Sequence, residues 1–284
     1  MLLDSHVHVW DPSRSPYSWL RGSDAIDRTF TLEDLSPDLD ACGIGDLVLV
    51  QSDDTAGDTD FMRELAAVDP RVRGIVGYAP LHEPQIAAAT FARWREDPLM
   101  VGVRNLIHMR PEPDWMTRPA YVEGLKAAGA AGIAVDVIAV TEAHLEQLVA
   151  LAGKLPDVTF VLDHLGQPPV TEPKDYWWPL MQRLGEHPRV FAKLSGMYIG
   201  GSVLSPVSVD QVRQVRDLAL AAFGAERLMY GGDWPIAVLA GGYGPATAGI
   251  RAAIAELSAA EQDGIGRRAA ETAYALPLRR QTGT

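Results

Sequence analysis

Cysteine is nearly absent from this chain: Cys42 is the only one in 284 residues. A lone thiol excludes an intrachain disulfide and any metal centre built on several thiolates. It suits a reducing compartment, so a cytoplasmic location is expected. Basic residues are also scarce, 25 against 37 acidic ones, which leaves a formal net charge of −12. Nucleic acid and anionic membrane surfaces demand basic patches, so neither is expected as a partner. A small anionic substrate stays compatible, because a few local arginines can reverse the field. No stretch approaches ~18 consecutive apolar residues, so no transmembrane helix is expected. The Met-Leu-Leu start gives way to Asp4 and His6 without a basic n-region, and it reads as a strand, not a signal peptide.

What is present is a regular alternation. Near-continuous apolar runs fall at Leu2–Val9, Asp46–Gln51, Val72–Tyr78, Met100–Asn105, Ile133–Ile138, Val158–His164, Val190–Ser195 and Leu228–Asp233. They read as strands buried on both faces. Amphipathic, helix-like segments lie between them at Thr59–Val68, Pro84–Glu96, Ala120–Ala131, Thr141–Lys154, Trp178–His187 and Ser208–Phe223. Eight such units predict an α/β protein with a closed (β/α)8 barrel of the TIM type, as one domain over residues 1–284. The long segments after strands, Trp10–Thr31, His108–Pro119, Gly166–Pro179 and Gly241–Pro245, are then loops on the rim where barrels place their active sites. The polar tail from about Arg279 is expected to fray.

The seven histidines are few, and two of them open the chain as His6-Val7-His8. On a strand Asp4, His6 and His8 would share one face, with the imidazoles about 7 Å apart along it. A His-x-His is a weak pattern alone; its position on the first barrel strand gives it weight. Other polar residues collect at the ends of later strands: Gln51, Arg104 with Asn105 and His108, Asp136, Asp163-His164, Lys193 with Ser195, and Gly231-Gly232-Asp233. Ionisable groups are costly in a core unless paired or used, so their convergence marks a candidate site. Within it, Lys193 reads as an ion-pair partner for a buried Asp such as Asp4 or Asp136. Asp163 reads as a residue that could orient His164. His82, His144 and His187 read as surface residues. Arg104, His108, Trp19 and Gln51 are the candidates for binding substrate. Trp10, Tyr17 and Trp115, with Arg110 and Arg118, offer further rings and cations on the rim.

Asp4-Ser5-His6-Val7-His8-Val9-Trp10-Asp11-Pro12, Gly102-Val103-Arg104, Val161-Leu162-Asp163-His164-Leu165-Gly166, Lys193-Leu194-Ser195-Gly196 and Arg227-Leu228-Met229-Tyr230-Gly231-Gly232-Asp233-Trp234-Pro235 resemble, in order, the amidohydrolase-related (amidohydrolase 2) family of the amidohydrolase superfamily. With the Pro111–Trp115 loop, the likeness is to its lactonase-like branch of fuconolactonases, rhamnonolactonases, sulfomuconolactone hydrolases and pyrone-dicarboxylate lactonases. It runs from residue 1 to about 276. It implies a (β/α)8 barrel and hydrolysis of a small polar lactone to its hydroxy acid, with a sugar aldonolactone first and a carboxylated lactone of aromatic catabolism second. Position by position it centres the chemistry on His6, His8, His164 and Asp233. The chain departs from the pattern at Gly232, where Ser is usual, and at Ala270-Glu271-Thr272-Ala273, where Asn-Ala is usual.

The resemblance implies a fifth-strand histidine where one ion is tightly held and a fourth-strand lysine where two ions are bridged; here the fifth strand offers Asp136 and no histidine, and Arg104 occupies the fourth-strand region. A two-metal centre is therefore not expected. Two versions stay open: one divalent ion, zinc first, on His6, His8 and Asp233 with His164 or water completing the shell, or no metal, with the His cluster itself polarising a lactone carbonyl. In both, Asp233 is the base that takes a proton from water. A metal-dependent decarboxylase of the same superfamily and a non-catalytic small-molecule-binding barrel are the rival readings. The sequence sets no oligomeric state.

Overall fold

The computed structural model describes residues 1–170, 174–200 and 204–276; the expected fraying beyond Arg279 lies outside the described residues. Eight parallel strands follow one another around a barrel: β1 (Leu2–Val7), β2 (Ile44–Val50), β3 (Val72–Gly77), β4 (Met100–Asn105), β5 (Ala134–Val137), β6 (Phe160–Leu162), β7 (Val190–Leu194) and, after a short antiparallel hairpin of β8 (Tyr198–Gly200) and β9 (Leu204–Pro206), β10 (Leu228–Tyr230). Neighbours pair in parallel from β1 through β10. A parallel bridge from Val7 to Trp234 brings the two ends together. There the backbone N–H of His8 donates to the Trp234 carbonyl at 2.7 Å, and that of Asp233 to the His6 carbonyl at 2.8 Å. This is a (β/α)8 barrel.

Eight helices cover its outside: α1 (Leu32–Cys42), α2 (Ala56–Ala66), α3 (Pro84–Trp94), α4 (Pro119–Ala131), α5 (Glu142–Lys154), α6 (Trp177–Gly185), α7 (Val209–Phe223) and α8 (Tyr243–Ala255). Side-chain oxygens of Thr55, Thr141 and Ser208 accept backbone N–H groups at the starts of α2, α5 and α7, which satisfies donors a helix start leaves free. Among the described residues no helix is long and apolar enough to cross a membrane.

The strand alternation sorts the core in two. Val7, Leu47, Leu49, Ile75, Val103, Val135, Leu162 and Leu194 face the helices. Leu3, Val48, Val50, Val76, Val101, Ala134, Val161, Phe191 and Met229 fill the barrel, against Ala269, Ala270, Ala273, Tyr274 and Leu276 of the C-terminal helical segment. That segment plugs the lower end. Small side chains at 270 and 273 let it enter, so the departure noted at Ala270–Ala273 is a packing feature.

Asp4 does not share a face with His6 and His8. The register of β1 shifts between Asp4 and Val7. The Asp4 carboxylate accepts the backbone N–H of its own His6 at 2.9 Å and of Gly232 at 2.9 Å, and the Tyr243 hydroxyl of α8 at 2.6 Å. The departure at Gly232 follows from the same contacts. A Cβ there would meet the Tyr243 ring at 2.3 Å and Asp4 Oδ2 at 2.4 Å. Gly232→Ala should therefore destabilise the chain by about 1–3 kcal/mol, the usual cost of overpacking. Urea denaturation checks this, and an unchanged midpoint would show that Tyr243 yields freely.

Candidate active site

At the upper end of the barrel three imidazoles surround one carboxylate. Asp233 Oδ1 lies 3.7 Å from Nε2 of His6, 3.6 Å from Nε2 of His8 and 3.9 Å from Nε2 of His164. The His6 ring stands edge-on to those of His8 and His164, at centroid distances of 4.7 and 4.5 Å. Each ring is held from behind. His8 Nδ1 is 2.7 Å from the Val50 carbonyl, and His164 Nδ1 is 2.8 Å from Ser195 Oγ. His164 and Asp233 both have left-handed backbones, with φ of 52° and 54°. Non-glycine residues adopt that region at a cost, and such residues cluster where structure serves function. Gly196 makes room behind: a Cβ on it would meet His164 Nδ1 at 2.4 Å.

Beneath the imidazoles is a buried ionic layer. Asp163 pairs with Arg104 Nη1 at 2.9 Å, with Lys193 Nζ at 3.0 Å and with His6 Nδ1 at 3.3 Å. Lys193 also contacts Asp136, whose oxygens accept the Tyr274 hydroxyl at 2.9 Å. The ion pair expected of Lys193 is thus with Asp136 and Asp163, not Asp4. Asp163 does not orient His164; Ser195 does. Burial alone would push the Asp163 carboxyl up, but Lys193, His6 and Arg104 hold it well below the usual carboxylate range. Burial, followed by the Lys193 charge, pushes His6 well below the ordinary imidazole value, and burial lowers His8 as well.

This electrostatic setting bears on the metal. A neutral His8 whose Nδ1–H is given to a carbonyl presents only a lone pair at Nε2. That lone pair faces an acceptor, the Asp233 carboxylate, across 3.6 Å. Two acceptors so placed are favourable only with a cation or a proton donor between them. The buried Nε2 of His6 has no hydrogen-bond partner. His6, His8 and Asp233 form a group whose ligand atoms lie within 4.8 Å of one another, and two imidazoles with a carboxylate are a donor set zinc accepts. The residues fit one ion.

A cavity of about 480 Å³ opens above. His8, His164 and Asp233 form its floor, and three of the expected substrate-binding residues, Trp19, Arg104 and His108, line its wall. The Trp19 indole N–H donates to the Ser52 carbonyl at 2.8 Å. Arg104 reaches the cavity, although its guanidinium also holds Asp163 and the Gln51 carbonyl. Gln51 is fully buried and does not line it; its amide N–H groups donate to Asp54 and to the Arg104 carbonyl at 3.0 and 2.9 Å. The other rim candidates are spent on one another. Trp10 and Tyr17 are both buried, with Trp10 packed against Tyr17, Trp19 and Phe30. Trp115 lies between Arg110 and Arg118 at 4.9 and 5.1 Å, and those arginines pair with Asp54 and Asp114.

Sequence reasoning missed Tyr198 and Lys174, and an aliphatic wall of Leu106, Met109, Ile138, Val170, Leu204 and Ile236. Lys174 lay within a loop already expected to reach the rim. Tyr198, whose phenol meets Asp233, had no signal beyond following strand seven.

The family model described as amidohydrolase matches residues 3–276. An L-fucono-1,5-lactonase of Burkholderia ambifaria is 35% identical over 85% of this chain and 83% of its own. An L-fucono-1,5-lactonase of Burkholderia multivorans is 30% identical over 97% of this chain and 96% of its own. A crystal structure of an amidohydrolase from Burkholderia multivorans with bound zinc superposes with a TM-score of 0.86 at 28% identity, covering 98% of this chain and all of the other.

His108 gives the site a pH signature. Burial, then the Arg104 charge, lowers its imidazole to about 4, while an unfolded histidine titrates near 6.5. Between those values the unfolded chain binds the proton and the folded chain does not, so this contribution to stability is lost as pH falls from about 6.5 to 4. Asp4, Asp58 and Asp136, raised by burial to about 6, 7 and 6, act in the opposite sense, so the difference between two proteins is the readout. His108→Gln should gain stability relative to wild type on going from pH 7 to 4.5, measured by urea midpoints. A pH-independent difference would mean that His108 titrates normally.

Proposed function

Since this chain belongs to the amidohydrolase family, we propose that it is a hydrolase that opens a sugar 1,5-lactone to its aldonic acid, with L-fucono-1,5-lactone or a close relative as substrate. The observation that carries this reading is Asp233 Oδ1 set within 4 Å of three imidazole nitrogens on the floor of a cavity. The names of the two relatives support the substrate class. The cavity lining combines aliphatic side chains with polar groups, which suits a ring with both hydroxyls and a methyl group.

The lactone carbonyl seats over the imidazoles, and a water molecule lies against Asp233. Asp233 takes a proton from that water as its oxygen bonds to the carbonyl carbon. His6, His8 and Asp233 would hold a zinc-type ion, which when bound polarises the carbonyl and acidifies water. His164, receiving a hydrogen bond from Ser195, turns its Nε2–H toward the developing oxyanion. The ring C–O bond then breaks, and Asp233 returns its proton to the departing oxygen. Arg104 and Lys174 in the wall favour the carboxylate that forms. His108, neutral in its buried position, hydrogen-bonds a ring hydroxyl.

Asp233→Asn keeps the shape and removes the base, so kcat should fall about 10²–10⁴-fold. A folded variant with more than a tenth of wild-type turnover would remove Asp233 from that role. The assay is acid release from a panel of aldonolactones, pyrone dicarboxylates and acyl-homoserine lactones. Turnover of the last class alone would overturn the substrate assignment, and carbon dioxide release from aromatic acids would favour the decarboxylase reading. Exhaustive chelation should lower turnover, with zinc restoring it. Full activity after chelation would instead assign carbonyl polarisation to protein donors.

A further inference from the structure

Lys193 has no exposed surface, yet it carries an ammonium into the barrel. Its Nζ contacts Asp136 and lies 3.0 Å from Asp163 Oδ1 and 2.9 Å from His6 Nδ1. Those three partners, from β5, the turn just after β6, and β1, are themselves a group whose ligand atoms gather within 4.8 Å. His6 therefore belongs to two such groups. Its Nε2 faces Asp233 at 3.7 Å, and its Nδ1 faces Asp163 at 3.3 Å. An imidazole set between two carboxylate-bearing groups, one nitrogen to each, is the arrangement that joins two cations once its ring proton is lost. On one side the cation is already present, covalently tethered.

We propose that Lys193 is a built-in cation filling a second metal-type site, formed by His6 Nδ1, Asp136 and Asp163, and that it limits this barrel to one divalent ion. Two buried carboxylates require positive charge nearby. A compact ammonium with three donors meets three acceptors there. Because an ammonium can only donate, its bond to His6 Nδ1 leaves the ring proton of a neutral imidazole on Nε2, the nitrogen that must lose it to ligate an ion. The lysine thus weakens ion binding at Nε2 while excluding a second ion at Nδ1. Nothing in this depends on the substrate, so the ion count reads it whether or not the chain opens lactones.

The test is zinc stoichiometry by elemental analysis after gel filtration, with zinc titration calorimetry. Wild type should hold at most one ion per chain and Lys193→Ala one more, with the extra ion lost in Lys193→Ala/Asp163→Asn. The thermal midpoint of Lys193→Ala should be low in chelator and recover with zinc. A folded Lys193→Ala with the wild-type ion count, an extra ion that survives loss of Asp163, or two ions in wild type would each overturn the proposal. If Lys193→Ala does not fold even with zinc, the charge-neutral pair Lys193→Met/Asp136→Asn decides. With the ammonium removed, the His6 ring proton moves from Nε2 to Nδ1, where Asp163 accepts it, and Nε2 becomes a lone-pair ligand, a carboxylate–histidine pairing whose effect on metal affinity is about tenfold or more. Zinc Kd should tighten by that factor, and an unchanged Kd refutes the assignment.

Discussion

The chemistry of this barrel depends on one seam, where the first strand meets the last. His6 and His8 lie more than two hundred residues from Asp233 in the chain, and the Asp4 carboxylate is what fastens them together. One of its oxygens accepts the backbone N–H groups of both His6 and Gly232, and the other accepts the Tyr243 hydroxyl. Bonds to a charged acceptor contribute about 1.5–3 kcal/mol each, against the cost of burying that charge. Burial lifts the Asp4 carboxyl to about 6, which shows how closely the two terms compete. Loosen this residue and the imidazoles lose their register with the carboxylate they surround.

The barrel was legible because parallel strands buried on both faces write long apolar runs; seven of the eight expected strands contain the observed one, and the second, expected from Asp46, begins two residues earlier at Ile44. Less visible was α1, whose run from Leu32 to Cys42 carries Pro37 and several acidic residues. The β8–β9 hairpin was hidden too, because three-residue strands leave no period to read. His6, His8, His164 and Asp233 could be named because their motifs sit at strand ends, and the structure brings all four together. Their supports could not be assigned. Whether Asp163 serves His164 or His6 turns on the left-handed bend at His164, a matter of backbone geometry and not composition. The rim arginines and aromatics misled for a related reason. Loop residues of opposite charge or flat shape find one another, as Trp115 does with Arg110 and Arg118, and leave the cavity to aliphatic neighbours.

Charge is distributed against the average. The chain as a whole is strongly acidic, yet among the described residues Arg104 and Lys174 line the cavity with Asp233 as its single carboxylate. A neutral lactone entering such a site feels little of the surrounding field. The aldonate product of the proposed reaction is anionic, drawn locally to the two cations and repelled by the rest of the surface. Formation and departure of the product are thus favoured by different parts of the same charge pattern.

The left-handed backbones of His164 and Asp233 have a consequence for anyone who alters them. At most active-site positions alanine is the natural blank, because it deletes chemistry and leaves the main chain alone. Here alanine would delete chemistry and also oppose the turn, and a β-branched residue would oppose it more. Glycine adopts these angles freely, and asparagine tolerates them. The variants that isolate what these two side chains do are therefore those that look most disruptive on paper. A saturation library at either position would be ranked first by backbone and only then by reactivity.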